Sequence, residues 1–298
     1  MTLAATSRDA TRQLVAAFKN SPALLGASAL ANVYVTSVLL SIEPNASWIV
    51  VPLVAVSVYV LDDVTDRIGG DDLEVEPRSR EAFYSRPVLV AIVAVGGYGV
   101  AVAITAVVGD AIAVGLTLVP GVAGVVYSLP WLSIGDAGRV KEVFLLNTAV
   151  IAAPTAILGT LLPVALSPDP VPTTATAALV VFWFVRYAVG VETCNVPDLE
   201  ADERDGVSTL PTRYGVETTR RLLYAGDVVA IIVLLAFVMP ESGPLPVALM
   251  LPVLGCSMAL TYYLTRPRLR EPLCVAWDGL HVVMGAVVAI GVTVAAIV

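Results

Sequence analysis

The sequence predicts an all-α integral membrane protein of about nine transmembrane helices. Three observations carry this. The chain of 298 residues is 57% hydrophobic and 14% charged, with a mean hydropathy of +0.85, whereas soluble domains carry roughly 25% charged residues. Apolar runs of about 20 residues, long enough for a ~30 Å hydrocarbon core, recur from end to end. The basic residues gather between alternate runs. Each span has to be helical, because an open sheet edge does not survive in hydrocarbon.

Taken in order, the runs fall near residues 22–42, 46–64, 87–109, 111–132, 143–166, 174–196, 221–239, 244–264 and 273–297. Gly96, Gly97 and Asp110 leave the division within 87–132 loose. Residues 1–20 read as a tail and 21–298 as a single transmembrane domain. The tail has no compact apolar region or small-residue cleavage site, so a removable signal peptide is not expected. Cys194, Cys256 and Cys274 are odd in number, far apart and without a CxxC pair, which predicts neither a disulfide framework nor a zinc site. The single His281 argues against an imidazole metal centre. A formal charge of −8 gives no footing for nucleic acid. An acidic composition with only Lys19 and Lys141 as lysines fits a salt-loving archaeon, and a high-GC genome gives a similar bias.

Of the 17 Lys and Arg residues, all but Arg186 fall in the tail or after the second, fourth, sixth and eighth spans. The opposite connections contain Glu43, Asp110, Asp169 and Glu241 and no base. Positive charge stays cytoplasmic, which places the N-terminus inside a multi-pass cell-membrane protein.

Two acid clusters then fall on the cytoplasmic side. "DDVTD" closes the second span with Asp62 and Asp66 four apart and Asp63 between. "NVPDLEAD" follows the sixth, with Asp198 and Asp202 four apart and Asn195 three before Asp198. Residues at i and i+4 share a helix face, so each cluster presents a carboxylate pair in one direction. One acidic turn at a helix end is ordinarily a solvated loop. Two pairs of equal spacing on one side of the membrane would repel unless cations lay between them. Oxygen-only donors suit Mg²⁺ shared with substrate phosphates. A diphosphate with an apolar tail needs such acids directly beside a greasy helix.

Four stretches resemble the UbiA superfamily of intramembrane prenyltransferases: "DDVTD", "VVYSLPW" followed by "GRVKEVFLLNTAV", "NVPDLEAD", and "GVSTLPTRYG". The resemblance implies nine helices around a central cavity under a cytoplasmic cap of loops. It implies Mg²⁺-dependent transfer of a prenyl group from a polyprenyl diphosphate to a lipophilic acceptor. Carried over, Asp62, Asp66, Asp198 and Asp202 would hold Mg²⁺, with Asp63 and Asn195 assisting. Lys141, Arg139 and Ser128 would bind the diphosphate, and Tyr127 would lie near the reacting carbon. Asp66, Asp198, Tyr127 and Lys141 are thus the expected catalytic group. Two departures concern the loop: Gly70 stands where many members have a further Asp, and "LEVEPRSREAFYSRP" replaces the usual run to an Arg-Pro pair. The loops differ from those of ether-lipid and heme enzymes, which favours a quinone precursor or carotenoid over a lipid acceptor.

An allylic cation needs a dry, electron-rich wall. Trp131, Trp183 and Tyr187 are further candidates for it, against ordinary packing roles. Arg186, inside a span, flags a functional or paired site. At 100° per residue it points away from the face of Asn195, Asp198 and Asp202, and Glu192 or a buried carbonyl is its expected partner. Asp278 and His281 read as an inter-helix hydrogen bond or a proton relay. Two other classes compete. A CDP-alcohol phosphotransferase needs a glycine after the second aspartate, missing from both clusters. A transporter with acidic cytoplasmic vestibules needs a charged midplane path, and the midplane here is nearly uncharged.

Overall fold

The computed structural model describes residues 22–69, 86–128 and 143–297, apart from the side chains of 66–69, 128, 205 and 271. The described elements are helical: α1 Pro22–Leu39, α2 Ser47–Gly69, α3 Pro87–Val108, α4 Ala111–Ser128, α5 Leu146–Ala165, α6 Thr173–Cys194, a short α7 Leu199–Asp205, α8 Leu210–Val233, α9 Met239–Ser242, α10 Pro244–Tyr262 and α11 Arg270–Ile297. A π-helical turn, Leu234–Val238, joins α8 to α9, so the helix runs over Leu210–Ser242 with a break at Gly215. Among the described residues eight helices are long and apolar enough to cross a membrane, and Ala111–Tyr127 is a shorter apolar ninth. The seventh span therefore starts at Leu210 rather than 221. Its first turns carry Arg213, Glu217 and Arg220, which a hydropathy reading places outside the span.

The loose division between the third and fourth spans has a definite solution. Gly96 and Gly97 lie inside α3, and the chain breaks at Gly109. Asp110 then caps α4, its Oδ1 accepting from the backbone N–H of Ile112 at 3.0 Å and of Ala113 at 2.9 Å. Further along α4, Pro120 supplies no N–H, and Tyr98 of α3 repairs the ladder beside it. The Tyr98 hydroxyl donates to the Thr117 carbonyl at 2.8 Å and accepts from Gly121 N–H at 3.1 Å. It thus stands where the Gly121-to-Thr117 bond would be.

Outward side chains such as Val88, Ile92, Val107, Ile112, Val122 and Ile290 are exposed apolar groups, as hydrocarbon solvent demands. Inside, the main core gathers Leu39, Phe182, Trp183, Leu234, Met250, Leu254 and Met284 from four helices and the π turn. Trp183 Nε1–H donates to Thr36 Oγ1 at 2.8 Å, tying α6 to α1. Small residues let helices close: Gly285 of α11 lies against Ala31 of α1.

The cysteine expectation is corrected. Cys194, the last residue of α6, and Cys274, near the start of α11, form a disulfide with Cα atoms 4.8 Å apart. A separation of 80 residues hides from the sequence that antiparallel helices bring these two ends together. Cys256 is free and exposed.

Candidate active site

The spans alternate in direction, so the C-terminal ends of α2 and α6 lie at the same end of the bundle. Glu192 near the end of α6 receives the Thr148 hydroxyl from the start of α5, which agrees with that placement.

The first acid cluster is an uninterrupted piece of helix. α2 runs through Asp62 and Asp63 to Gly69, as the i, i+4 spacing predicts. Val60 and Val64 bury themselves with Ala94 of α3. Two residues amount to about 200° of helix, so that packing turns half-buried Asp62 to the side away from α3. The backbone puts position 66 one turn later on the same face.

The second cluster is not a helix extension. α6 stops at Cys194, the chain turns through Asn195–Asp198, and α7 begins at Leu199 with Asp198 at its N-cap position. Asp202 N–H returns to the Asp198 carbonyl at 2.8 Å, so the two acids are one turn apart on this new axis. Angles projected from Arg186 along a continuous α6 therefore do not hold beyond Cys194. Asp198 is exposed and Asp202 half-buried, and Asp202 Oδ2 accepts from the Thr209 hydroxyl at 3.3 Å.

"GVSTLPTRYG" is a sequence of backbone instructions. Gly206 closes α7 in the left-handed region at φ 73°. Thr209 opens α8 with a reciprocal capping box to Thr212. Pro211 takes an early helical position that needs no N–H, and Gly215 at φ 74° kinks the helix. One buttress holds the assembly. Glu192, 2% exposed, accepts from the Thr148 hydroxyl, from Asn195 Nδ2 at 3.2 Å and from Leu210 N–H at 3.1 Å. The sequence reading gave Glu192 no such role. The signal was its place three residues before Asn195.

Arg186 pairs not with Glu192 but with Asp227 of α8. Its Nη1 also donates to Ser257 of α10 at 3.1 Å, and the guanidinium lies 4.3 Å from the Trp277 ring centroid. Arg186 is 1% exposed and Asp227 0%. Tyr187, Asn32 and His281 join α6, α1 and α11: Asn32 Nδ2 donates to the Tyr187 hydroxyl at 2.7 Å and lies 2.8 Å from His281 Nδ1. That agrees with an inter-helix hydrogen bond for His281, made with Asn32 of α1.

Tyr127 is half-buried at the end of α4. The Ser128 side chain and Trp131, Arg139 and Lys141 lie outside the described residues. The segment that follows them docks on α8: Arg213 lies 4.5 Å over the Phe144 ring, and Tyr214 meets it edge-on at 5.7 Å. Among the described residues no three His, Cys, Asp or Glu side chains converge as a metal cluster. Asp66 stands outside that count. Two carboxylates with phosphate oxygens completing the shell form no such triplet, and their donor type suits Mg²⁺.

Comparison with known families decides the class. Residues 15–277 match the model of the UbiA prenyltransferase family. The chain belongs to that family. It is a prenyltransferase, and the phosphotransferase and transporter readings fall away. No curated protein sequence matches it. Among solved structures, the apo UbiA homolog of Aeropyrum pernix K1 superposes with a TM-score of 0.64 at 14% identity, over 90% of this chain and 97% of that one. The UbiA homolog of Archaeoglobus fulgidus, bound to GPP and Mg²⁺, gives 0.59 at 16% identity, over 92% and 99%. A digeranylgeranylglyceryl phosphate synthase gives 0.60 at 12% identity, over 94% and 98%. At these identities the likeness is one of fold, and it extends the UbiA architecture over nearly the whole chain.

Proposed function

We propose that this UbiA-family enzyme transfers a prenyl group from a polyprenyl diphosphate to a lipophilic acceptor, a quinone precursor or carotenoid before a lipid. The reaction takes place at the cytoplasmic face of the cell membrane, with the N-terminus inside. The observation that carries the reading is the pair of aspartate turns at one end of an apolar bundle, Asp62 on the last turns of α2 and Asp198 and Asp202 one turn apart beyond α6. The Archaeoglobus fulgidus homolog with GPP and Mg²⁺ supports the choice of ligand and ion.

Asp62 and Asp66 would hold one Mg²⁺ and Asp198 and Asp202 a second, with Asp63 and Asn195 fixing the orientation of these carboxylates. When bound, the metal neutralises the charge that grows on the departing diphosphate. Lys141, Arg139 and Ser128 would hold the diphosphate oxygens with fixed positive charge and a hydroxyl. Tyr127 turns an aromatic face to the allylic carbon, a contact of about 0.5–2 kcal/mol once desolvated. The apolar helices keep water from the cation. The acceptor carbon then takes the prenyl group and gives up a proton.

Mg²⁺-dependent release of diphosphate from geranylgeranyl diphosphate tests this in purified Asp66→Ala and Asp198→Ala proteins. Both are expected to lose turnover. Wild-type turnover in both would remove the role assigned to the acid pairs.

A further inference from the structure

Three carboxylates lie within the helices below the acid-bearing end, and their surroundings treat them differently. Asp227 is paired with Arg186 and accepts from the Ser257 hydroxyl at 3.1 Å. Glu192 accepts from three donors. Asp278 of α11 has neither: its backbone carbonyl takes the Ser28 hydroxyl at 2.6 Å, but among the described residues no N–H, O–H or cation reaches its carboxylate. A second group nearby is also unspent. His281 is 3% exposed; its Nδ1 is engaged by Asn32, and its Nε2 has no partner. A buried polar atom left unpaired costs about 1–3 kcal/mol, more when charged.

Asp278 faces the interior. Gly285, seven residues on and so nearly two turns along the same face, packs against Ala31 of α1. Cys274, one turn earlier, is bonded to Cys194 of α6. The lipid-exposed residues Val283 and Ile290 lie about 120–140° around the helix. Asp278 nevertheless keeps accessible surface, as does Tyr187, so neither side chain is fully walled in by its neighbours. The depth is suitable. Trp277 packs directly on Gly190, five residues and about 7 Å of helix rise below Asn195. Rings enclose this region: Trp183, Tyr187 and Trp277 have centroids 5.9, 5.7 and 6.4 Å from that of His281.

We propose that Asp278, flanked by Tyr187 and His281, binds the polar head of the prenyl acceptor, and that this head is the hydroxyl of a phenol- or hydroquinone-class aromatic. A hydroxyl supplies the donor that Asp278 lacks. A carboxylate head would be repelled there, and an ether would leave the acid unpaired. The flat rings match an aromatic acceptor. This specificity role rests on the prenyl-transfer reading, since it takes the space below Asn195 to be where donor and acceptor meet.

The test uses full-length protein in lipid nanodiscs under anaerobic conditions. Quenching of tryptophan fluorescence reports binding of 1,4-naphthohydroquinone and of its dimethyl ether. Wild type is expected to prefer the hydroquinone about tenfold, the worth of one good hydrogen bond. Asp278→Leu is expected to bring the two within about twofold, with ether affinity kept and thermal stability unchanged or raised, because an unpaired acid has left the interior. Equal binding of both probes by wild type, a preference that survives in D278L, or an equal loss of both probes would each overturn the proposal. If gel filtration shows D278L misfolded, Asp278→Asn decides: a preference reduced at least threefold supports the proposal, and an unchanged one overturns it. Geranyl diphosphate binding with Mg²⁺, measured on the same samples, is expected to be intact in wild type and variants. Its absence from wild type would count against prenyl transfer without touching the probe result.

Discussion

The two acid-bearing ends reach the same face by different constructions. At α2 the helix simply continues, and its acids are aimed by apolar packing of Val60 and Val64 on α3. At α6 the helix stops, the chain turns, and a seven-residue helix restarts under hydrogen bonds to Glu192 and Thr209. The first end inherits its geometry from a long rod. The second has to be assembled from three segments, and its geometry is only as firm as the buried carboxylate that joins them.

The largest expected effect tests whether both ends serve one site. Asp62→Ala and Asp198→Ala should each lower Mg²⁺-dependent diphosphate release by about 10³-fold or more, on the order of 4 kcal/mol. A large loss in one and none in the other would break the equivalence. Next comes Asp227→Ala, which strands Arg186 in the interior and should destabilise the bundle by about 3–5 kcal/mol. Thermal unfolding in detergent reads it, and Arg186→Leu/Asp227→Leu should recover most of the loss. Glu192→Ala separates the two ends. It should cost about 1–3 kcal/mol and lower activity through the second acid pair. Weakened Mg²⁺ dependence that Asp198→Ala masks and Asp62→Ala does not is the signature. The smallest effect is Gly215→Ala, about 1 kcal/mol for a side chain at positive φ, seen as a modest fall in the unfolding midpoint.

The spans were legible because hydrocarbon imposes length and composition on each helix separately. The spacing of Asp62 and Asp66 carried over for the same reason, as both lie on one rod. Asp198 and Asp202 kept their one-turn spacing although the helix they were expected to extend ends at Cys194. What could not be read depends on distant residues. Arg186 meets Asp227 41 positions away, and only the docking of α8 on α6 selects that acid over nearby Glu192. Tyr98 enters the α4 ladder through a packing event that Pro120 permits but does not announce. No spacing or periodicity marks Lys141, Arg139 and Ser128, and only the family resemblance singles them out.

The bond between Cys194 and Cys274 has a consequence for traffic. An oily ester with a long tail has to slip sideways between two helices to reach the interior. α6 and α11 are stapled at the end where the proposed site would take the head group, so those two cannot part there. On the proposed reading a doorway for the tail would lie at some other seam between the helices, with the staple as its fixed jamb.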